Sequence, residues 1–488
     1  MRIGGLASGM DIDSIVKDMM KAERIPLDKL SQKRTQLEWQ RDDYRSINKL
    51  LDDLDKSIFD GIGKQGKFTT KTVTNSNSSV VSATANGTAV NTSVNIEVLA
   101  TASSAIWVGG SKDLTSYQTV GNKTLTFTVT DGAGTNQGVK TIDINDGDTV
   151  DTIISKFNTS GLGVTAFYDK QNQKFVLTKK DTGFNSSIVV DDASTAAFMS
   201  ELGYSNTTGE ITGKTAGNDA SFKINGYQTT RATNTFDISG VTYTLQQAGK
   251  ANISIANNLD STVDVIKNFV EKYNETVDSI NKKISETKYR KFPPLTDEQR
   301  KDLSEKEAEL WDEKAKSGML RGDSILSNGL NIMRQNLYET VNTGYSDYNQ
   351  LTEIGITTGN YFNKGKLEID EDKLRHALTD NPDSVMKLFT GFTDSGGNEV
   401  RGIAKNLRET IHSTIQKIES KAGKSTFTNA QFTLGRELTD VNSRISAFED
   451  RLTQVENRYW RQFTAMEKAI QQSNQQSMYL MQQFGGGQ

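Results

Sequence analysis

The sequence predicts a multidomain, elongated α+β protein. Its N- and C-terminal helices form a coiled-coil stalk and helical leg, with antiparallel β domains inserted between them. Three observations carry this expectation. Near the N-terminus, Leu30, Leu37, Tyr44, Leu51 and Ile58 fall every seven residues, with Ile47 and Leu54 between them. Near the C-terminus, Leu434, Leu438, Val441, Ile445, Phe448, Leu452, Val455 and Tyr459 alternate by fours and threes. Between the seams lies a stretch rich in Thr, Ser, Asn and Gly, with short alternating runs. An apolar period of 3.5 residues marks a coiled-coil seam, and a period of two marks a half-buried strand. The seam residues are the candidate assembly interface, because a stalk of paired helices has no natural pocket.

From the N-terminus onward, Asp11 or Asp13 can cap a helix carrying Ile12, Ile15, Val16, Met19 and Met20. Pro26 should break or restart that helix. The second helix carries the Leu30–Ile58 seam, whose core-type positions include the polar Lys33 and Gln40, which weaken it and set register. After Gly63 the composition shifts. Val94–Val98, Leu125–Val129 and Phe175–Leu177 read as strands separated by turns such as Asp131-Gly132 and Gly240. One helix interrupts them, from about Thr149 to Asn158.

The helical period returns with Val263, Ile266, Val270, Tyr273, Val277, Ile280 and Ile284. A charged stretch, Lys288 to Lys316, follows and reads as a solvated helical excursion or a flexible hairpin. Further helices are expected at Ser324–Thr340, Glu371–Thr379 and Pro382–Phe389, with a strand pair at Ile354–Ile356 and Leu367–Ile369. A long helix carries Ile403, Leu407, Ile411, Ile415 and Ile418, and Gly423 should end it. The expected division is 1–60 for the N-terminal leg, 61–110 with 217–258 for a β domain, and 111–216 for a second β domain inserted in the first. Residues 259–404 form a helical leg domain, and 405–488 the C-terminal coiled coil and tail.

In the C-terminal seam, Leu438, Ile445, Leu452, Tyr459 and Met466 take position a, and Val441, Phe448 and Val455 position d. Arg444, Arg451 and Arg458 then fall at g, and Glu449 and Glu456 at e, where opposite charges flank a seam. Beyond Met466 the seam decays through Ala469, Ser473 and Gln476. The late apolar cluster of Met478, Tyr479, Leu480, Met481 and Phe484 reads either as a frayed helix end or as a segment that orders on meeting a partner.

Composition narrows the function. The chain has 488 residues, 57 basic against 61 acidic, for a net charge of −4. Nucleic acid is not the expected partner, since phosphate binding needs a basic surface. A hydrophobic fraction of 34 % fits an extended shape better than one compact enzyme. Cysteine is absent, excluding disulfides and thiolate chemistry. The first residues lack the layout of a cleaved signal peptide, and no apolar run is long enough for membrane insertion. The two histidines, His376 and His412, lack ligand-type neighbours at helical spacing. Gly61–Gly66 matches a dinucleotide glycine pattern but stands in reversed helix-to-strand order, and Asp143–Asp148 misses the calcium-loop spacing. No catalytic, cofactor-binding or metal residue is expected, and no cofactor.

Several blocks resemble one family. The opening Gly5-Leu-Ala-Ser-Gly-Met-Asp-Ile-Asp13 and its following helix resemble the N-terminal signature of the bacterial flagellar filament cap proteins, the hook-associated protein 2 family. Ala220-Ser-Phe-Lys-Ile-Asn-Gly226, with Arg231, Asn234 and Gly240–Leu245, resembles the flagellin/hook IN motif of that family. Gly163–Ala166 through Leu177 and Thr182-Gly183 does so more weakly, and residues 111–160 carry little recognisable signal. Gly318–Asp323, Leu351–Ile356, Gly365–Asp370 and Leu388-Phe389 resemble the family's C-terminal region. The resemblance implies a roughly pentameric homo-oligomeric ring at the distal flagellar tip. It also implies flagellin as partner, an export chaperone on the C-terminal helix, and extracellular delivery by the flagellar type III route. The Thr/Asn/Gly-rich β region raises an alternative, a surface adhesin for host glycans.

Overall fold

The structure, a computed structural model, describes residues 9–359 and 364–485. Residues 5–8 of the opening signature lie outside the described residues, as does the Phe484 side chain. The chain forms two units: residues up to Phe68 together with those from Leu259 onward, and Thr69–Asn258. Terminal helices enclose antiparallel β structure in the order that the period changes predict.

One helix, α1, runs unbroken over Ile12–Asp60, and the Asp11 carboxylate accepts the Ser14 N–H at 3.0 Å to cap it. Pro26 therefore neither breaks nor restarts the helix, contrary to the expectation. A helix-interior proline removes the hydrogen bond to the carbonyl four residues back and costs about 3 kcal/mol. Tertiary contacts on both sides outweigh that cost: Val16 and Leu27 are buried, and Glu23 accepts the Tyr459 hydroxyl at 2.9 Å.

The β unit starts and ends side by side. Asn258 donates its N–H to the Thr70 carbonyl at 2.9 Å, so the insertion joins the helical unit through adjacent strands. Its first core lies between two antiparallel sheets. One has the order Lys71–Asn75, Gly249–Asn257, Thr92–Ala100, Ala220–Ile224 and Tyr227–Arg231; the other joins Thr235–Ile238, Val241–Leu245 and Val81–Ala85. Alternate residues such as Ile96, Phe222, Tyr243 and Ile253 face inward, and the Phe222 and Phe236 rings stack at 4.6 Å.

The second core takes two four-stranded sheets and two helices, α2 (Val150–Thr159) and α3 (Ala193–Glu201), around Trp107, Phe127, Phe157 and Phe175. The α3 helix was not expected. It buries Thr195, Ala196, Phe198 and Met199 and so shows no clean helical stripe in sequence. Ser104–Val108 pairs with Lys174–Thr182 in this second core, so the crossover from the first core precedes the expected boundary at 110.

The helical unit resumes with α4 (Leu259–Ser285). The charged excursion is helical, forming α5 (Asp297–Lys301) and α6 (Glu305–Lys316). Each opens with a capping box, Thr296 with Gln299 and Ser304 with Glu307. It has its own aromatic centre, where the Trp311 indole N–H donates to the Pro293 carbonyl at 2.7 Å and its ring meets Phe292 edge-on. There follow α7 (Ser324–Tyr338), a hairpin of Ile356–Thr358 with Leu367–Ile369, α8 (Glu371–Asp380) and α9 (Pro382–Thr390). The long helices α10 (Ile403–Ala422) and α11 (Thr433–Gly485) close the chain. Gly423 ends α10 at φ +66°, and the Phe432 ring occupies the space where a side chain there would project.

Candidate assembly surface

The two seams meet, and they meet within one chain. Tyr44, Ile47, Leu51, Leu54 and Ile58 enter a core shared by α1, α4, α7 and α10, together with the half-buried Leu30 and the buried Leu37. Leu434, Leu438, Val441, Ile445 and Leu452 enter the same core; Val455 is buried, and Phe448 and Tyr459 are half-buried. Toward its N-terminus α1 meets α11, where Glu23 accepts from Tyr459; farther along it meets α4 and α10, where Asp43 accepts from Lys283 and Asp55 from Arg408.

Polar side chains fix how these helices meet. The Asp55 carboxylate, buried between α1 and α10, accepts from Arg408 Nε at 2.9 Å and Nη2 at 3.2 Å, and His412 Nε2 lies 3.2 Å away. Phe59 covers the Arg408 guanidinium at 4.7 Å. A buried carboxylate needs such partners, because its desolvation is costly. Arg45 donates to the carbonyls of Ala422, Gly423 and Lys424 at 3.2–3.3 Å, setting a cation on the negative end of α10. The Tyr44 hydroxyl donates to Asp323, the cap of α7; burial and that carboxylate push its ionisation well above the ordinary tyrosine range. None of these links was read from the sequence, since Arg45 and Asp55 sit between seam positions like any solvated charge.

Other expectations change. Lys33 is exposed, and Gln40 donates to the Met319 carbonyl at 3.4 Å, so neither is a polar break inside a zipper. The charges beside the seam are engaged locally: Arg444 pairs with Asp440 on its own helix, and Arg451 and Arg458 cover Phe448 and Tyr459. An exposed interhelical ion pair is worth little, so a ring face on the same helix competes well. In the 143–148 turn, burial raises Asp148, but the Lys156 ammonium and the Asn145 N–H hold its carboxyl below the usual range. That turn is a helix entry. Among the described residues no group of side chains could hold a metal, and no helix is long and apolar enough to cross a membrane.

Two surface features stand out among the described residues. A groove of about 730 Å³ lies between α1, α5 and α11, floored by Val16, Met20, Leu27 and Leu452. Arg24 of α1 and Glu298 of α5 close one side with an ion pair at 3.4 Å. Farther along α11, residues 471–482 are all exposed to solvent, Met478 to 65 % and Met481 to 74 %.

Paired chain ends, an inserted β unit and an exposed helix end define the architecture of a structural protein. Family models described as "Flagellar hook-associated protein 2" N-terminus and C-terminus match residues 8–105 and 217–475, and a relative of that name from Halalkalibacterium halodurans is 34 % identical over 99 % of this chain and 100 % of its own length. The chain belongs to the flagellar hook-associated protein 2 family. An A-type member from Pseudomonas aeruginosa is 28 % identical, covering 97 % of this chain and 95 % of its own. The fold is that of the crystal structure of the flagellar cap protein FliD D1-D2-D3 domains from Escherichia coli. That likeness has a TM-score of 0.59 at 20 % identity, covering 82 % of this chain and 99 % of the other.

The "Flagellin hook IN motif" model falls on residues 124–181. It thus covers the more weakly resembling Gly163–Leu177 stretch and much of the segment that carried little signal. The Ala220–Leu245 block lies instead inside the C-terminal family match.

Proposed function

We propose that the chain, a structural cap at the distal end of the bacterial flagellar filament, works as a ring of identical subunits. The ring retains flagellin arriving at the tip and promotes its folding and polymerisation there. The observation that carries this reading is full-length similarity to a family member, spanning helical and β units alike. The adhesin alternative finds no support and is set aside: the relatives carry flagellar names across both units.

The construction of the helical unit suits delivery before folding. The seam of α1 is covered by α4 and α10 and by α11 at the opposite end of the chain. Until the last helix arrives, that apolar stripe is bare and aggregation-prone, and so is its counterpart on α11. A cytosolic chaperone on the C-terminal helix would shield it before passage through the flagellar type III apparatus. With no cysteine, no disulfide obstructs threading of the chain.

The test is genetic. A strain lacking this chain should release unpolymerised flagellin into the medium and carry stunted filaments, and restoring the full chain should recover their length. Filaments of normal length without it would overturn the assignment.

A further inference from the structure

We propose that the solvent-exposed end of α11 from one subunit seats in the groove between α1, α5 and α11 of a second copy of the chain. This rests on the reading that the chain works as an oligomer. The shape of the tail cluster argues for an enclosing site. Successive helix residues are 100° apart, so Met478, Tyr479, Leu480 and Met481 point around most of the helix. A flat face buries only one side of such a segment, whereas a groove with three helical walls surrounds it. The groove has an apolar floor in Val16, Met20, Leu27 and Leu452.

Electrostatics narrows the occupant. The rim carries both signs, Lys17, Arg24 and Lys301 against Asp13, Glu298 and Glu449. A strongly charged segment of either sign would meet repulsion there. Residues 469–485 contain no charged side chain, and their many glutamines can donate to the acids and accept from the bases. Methionine adapts to an irregular floor.

Geometry excludes the chain's own tail, so a tail in this groove belongs to a second copy. Leu452 in the groove and Leu480 in the tail lie on one continuous helix, Thr433–Gly485. At 1.5 Å per residue they are about 42 Å apart, so a chain cannot fold its tail into its own groove without breaking α11. Tail and groove are different surfaces, so the contact is head-to-tail and passes from copy to copy, as a ring requires.

The absence of native cysteine allows a direct test on the full-length chain. Thr453→Cys places a thiol at the groove, and Ser477→Cys places one in the tail; both positions are exposed. Mixing the two single variants under mild oxidation should give a disulfide-linked heterodimer on a non-reducing gel. Leu480→Ser with Met481→Ser in the tail partner should abolish it. If light scattering shows oligomers but no heterodimer forms, the tail–groove contact is wrong and the oligomeric reading stands. A chain monomeric at all concentrations and without crosslinks overturns both. Protection of the Thr453→Cys thiol by purified flagellin, with no tail crosslink, would assign the groove to flagellin and overturn the inference.

Discussion

Single side chains in this molecule often do the work of a strand or a turn. Asn274 on α4 donates to the Leu367 carbonyl at 2.8 Å and accepts the Leu367 N–H at 2.7 Å, completing the edge of a two-stranded hairpin. Asn158 treats Ala166 the same way on the edge strand Val164–Asp169, and Asn234 treats Ala102. An amide side chain carries one donor group and one acceptor, as a peptide does, so it satisfies an edge that would otherwise invite another strand. The sequence shows these asparagines only as turn formers. Asp192 is a more readable case. Its carboxylate accepts from Ser194 Oγ at 2.7 Å and from Thr195 N and Oγ1 at 2.8 Å each, capping α3. The buried Thr195 hydroxyl in turn accepts the Thr126 N–H at 2.9 Å. Those donors lower the Asp192 pKa from 3.8 to about 2. A group depressed on folding stabilises above its unfolded pKa and loses that contribution as pH falls through its folded one. Asp192→Ala should therefore cost about 1 kcal/mol near neutrality, the usual value of a cap. In paired thermal melts the gap between wild type and variant should narrow from pH 4 to pH 2. A gap constant over that window would show that the carboxylate charge contributes nothing.

At the level of elements, what was legible depended on whether local rules and tertiary packing agreed. The seams were legible because they persist over many turns, and Gly423 because only a residue tolerant of positive φ fits beside Phe432. The capping boxes of α5 and α6 were present in the sequence as Thr296-x-x-Gln299 and Ser304-x-x-Glu307, and they decide between helix and flexible hairpin. The groove was not legible, because its walls come from α1, α5 and α11, and no local pattern joins Arg24 to Glu298. Pro26 shows local propensity overruled. Because α1 continues through it, the proline retains its cost and helps nothing visible in the packing. Pro26→Ala restores the N–H that a helix donates to the carbonyl of Ala22. It should raise the stability of the helical unit by up to about 3 kcal/mol, seen as a higher helical melting temperature by circular dichroism. A lower melting temperature would mean that the native chain bends at this site.

For the whole molecule, the sequence located the inserted β region by composition and the helical unit by period, and each owns a core. The helical core draws from both chain ends, whereas Thr69–Asn258 holds two cores of its own, one between sheets and one of sheets and helices. The units are joined at two peptide links, and the inserted strands that carry those links pair with each other, Lys71 opposite Asn257. A unit whose ends meet and whose apolar residues bury one another has what independent folding requires. Residues 69–258 alone should therefore melt cooperatively with a β-type circular dichroism spectrum. The remainder, with Phe68 linked to Leu259 through a short glycine linker, should retain its helical signal. In the full chain, Asp192→Ala should shift only the β transition and Pro26→Ala only the helical one. If the excised unit fails to fold, or if both substitutions move a single shared transition, then folding of the β unit depends on the helical one, and the chain must be treated as one cooperative body.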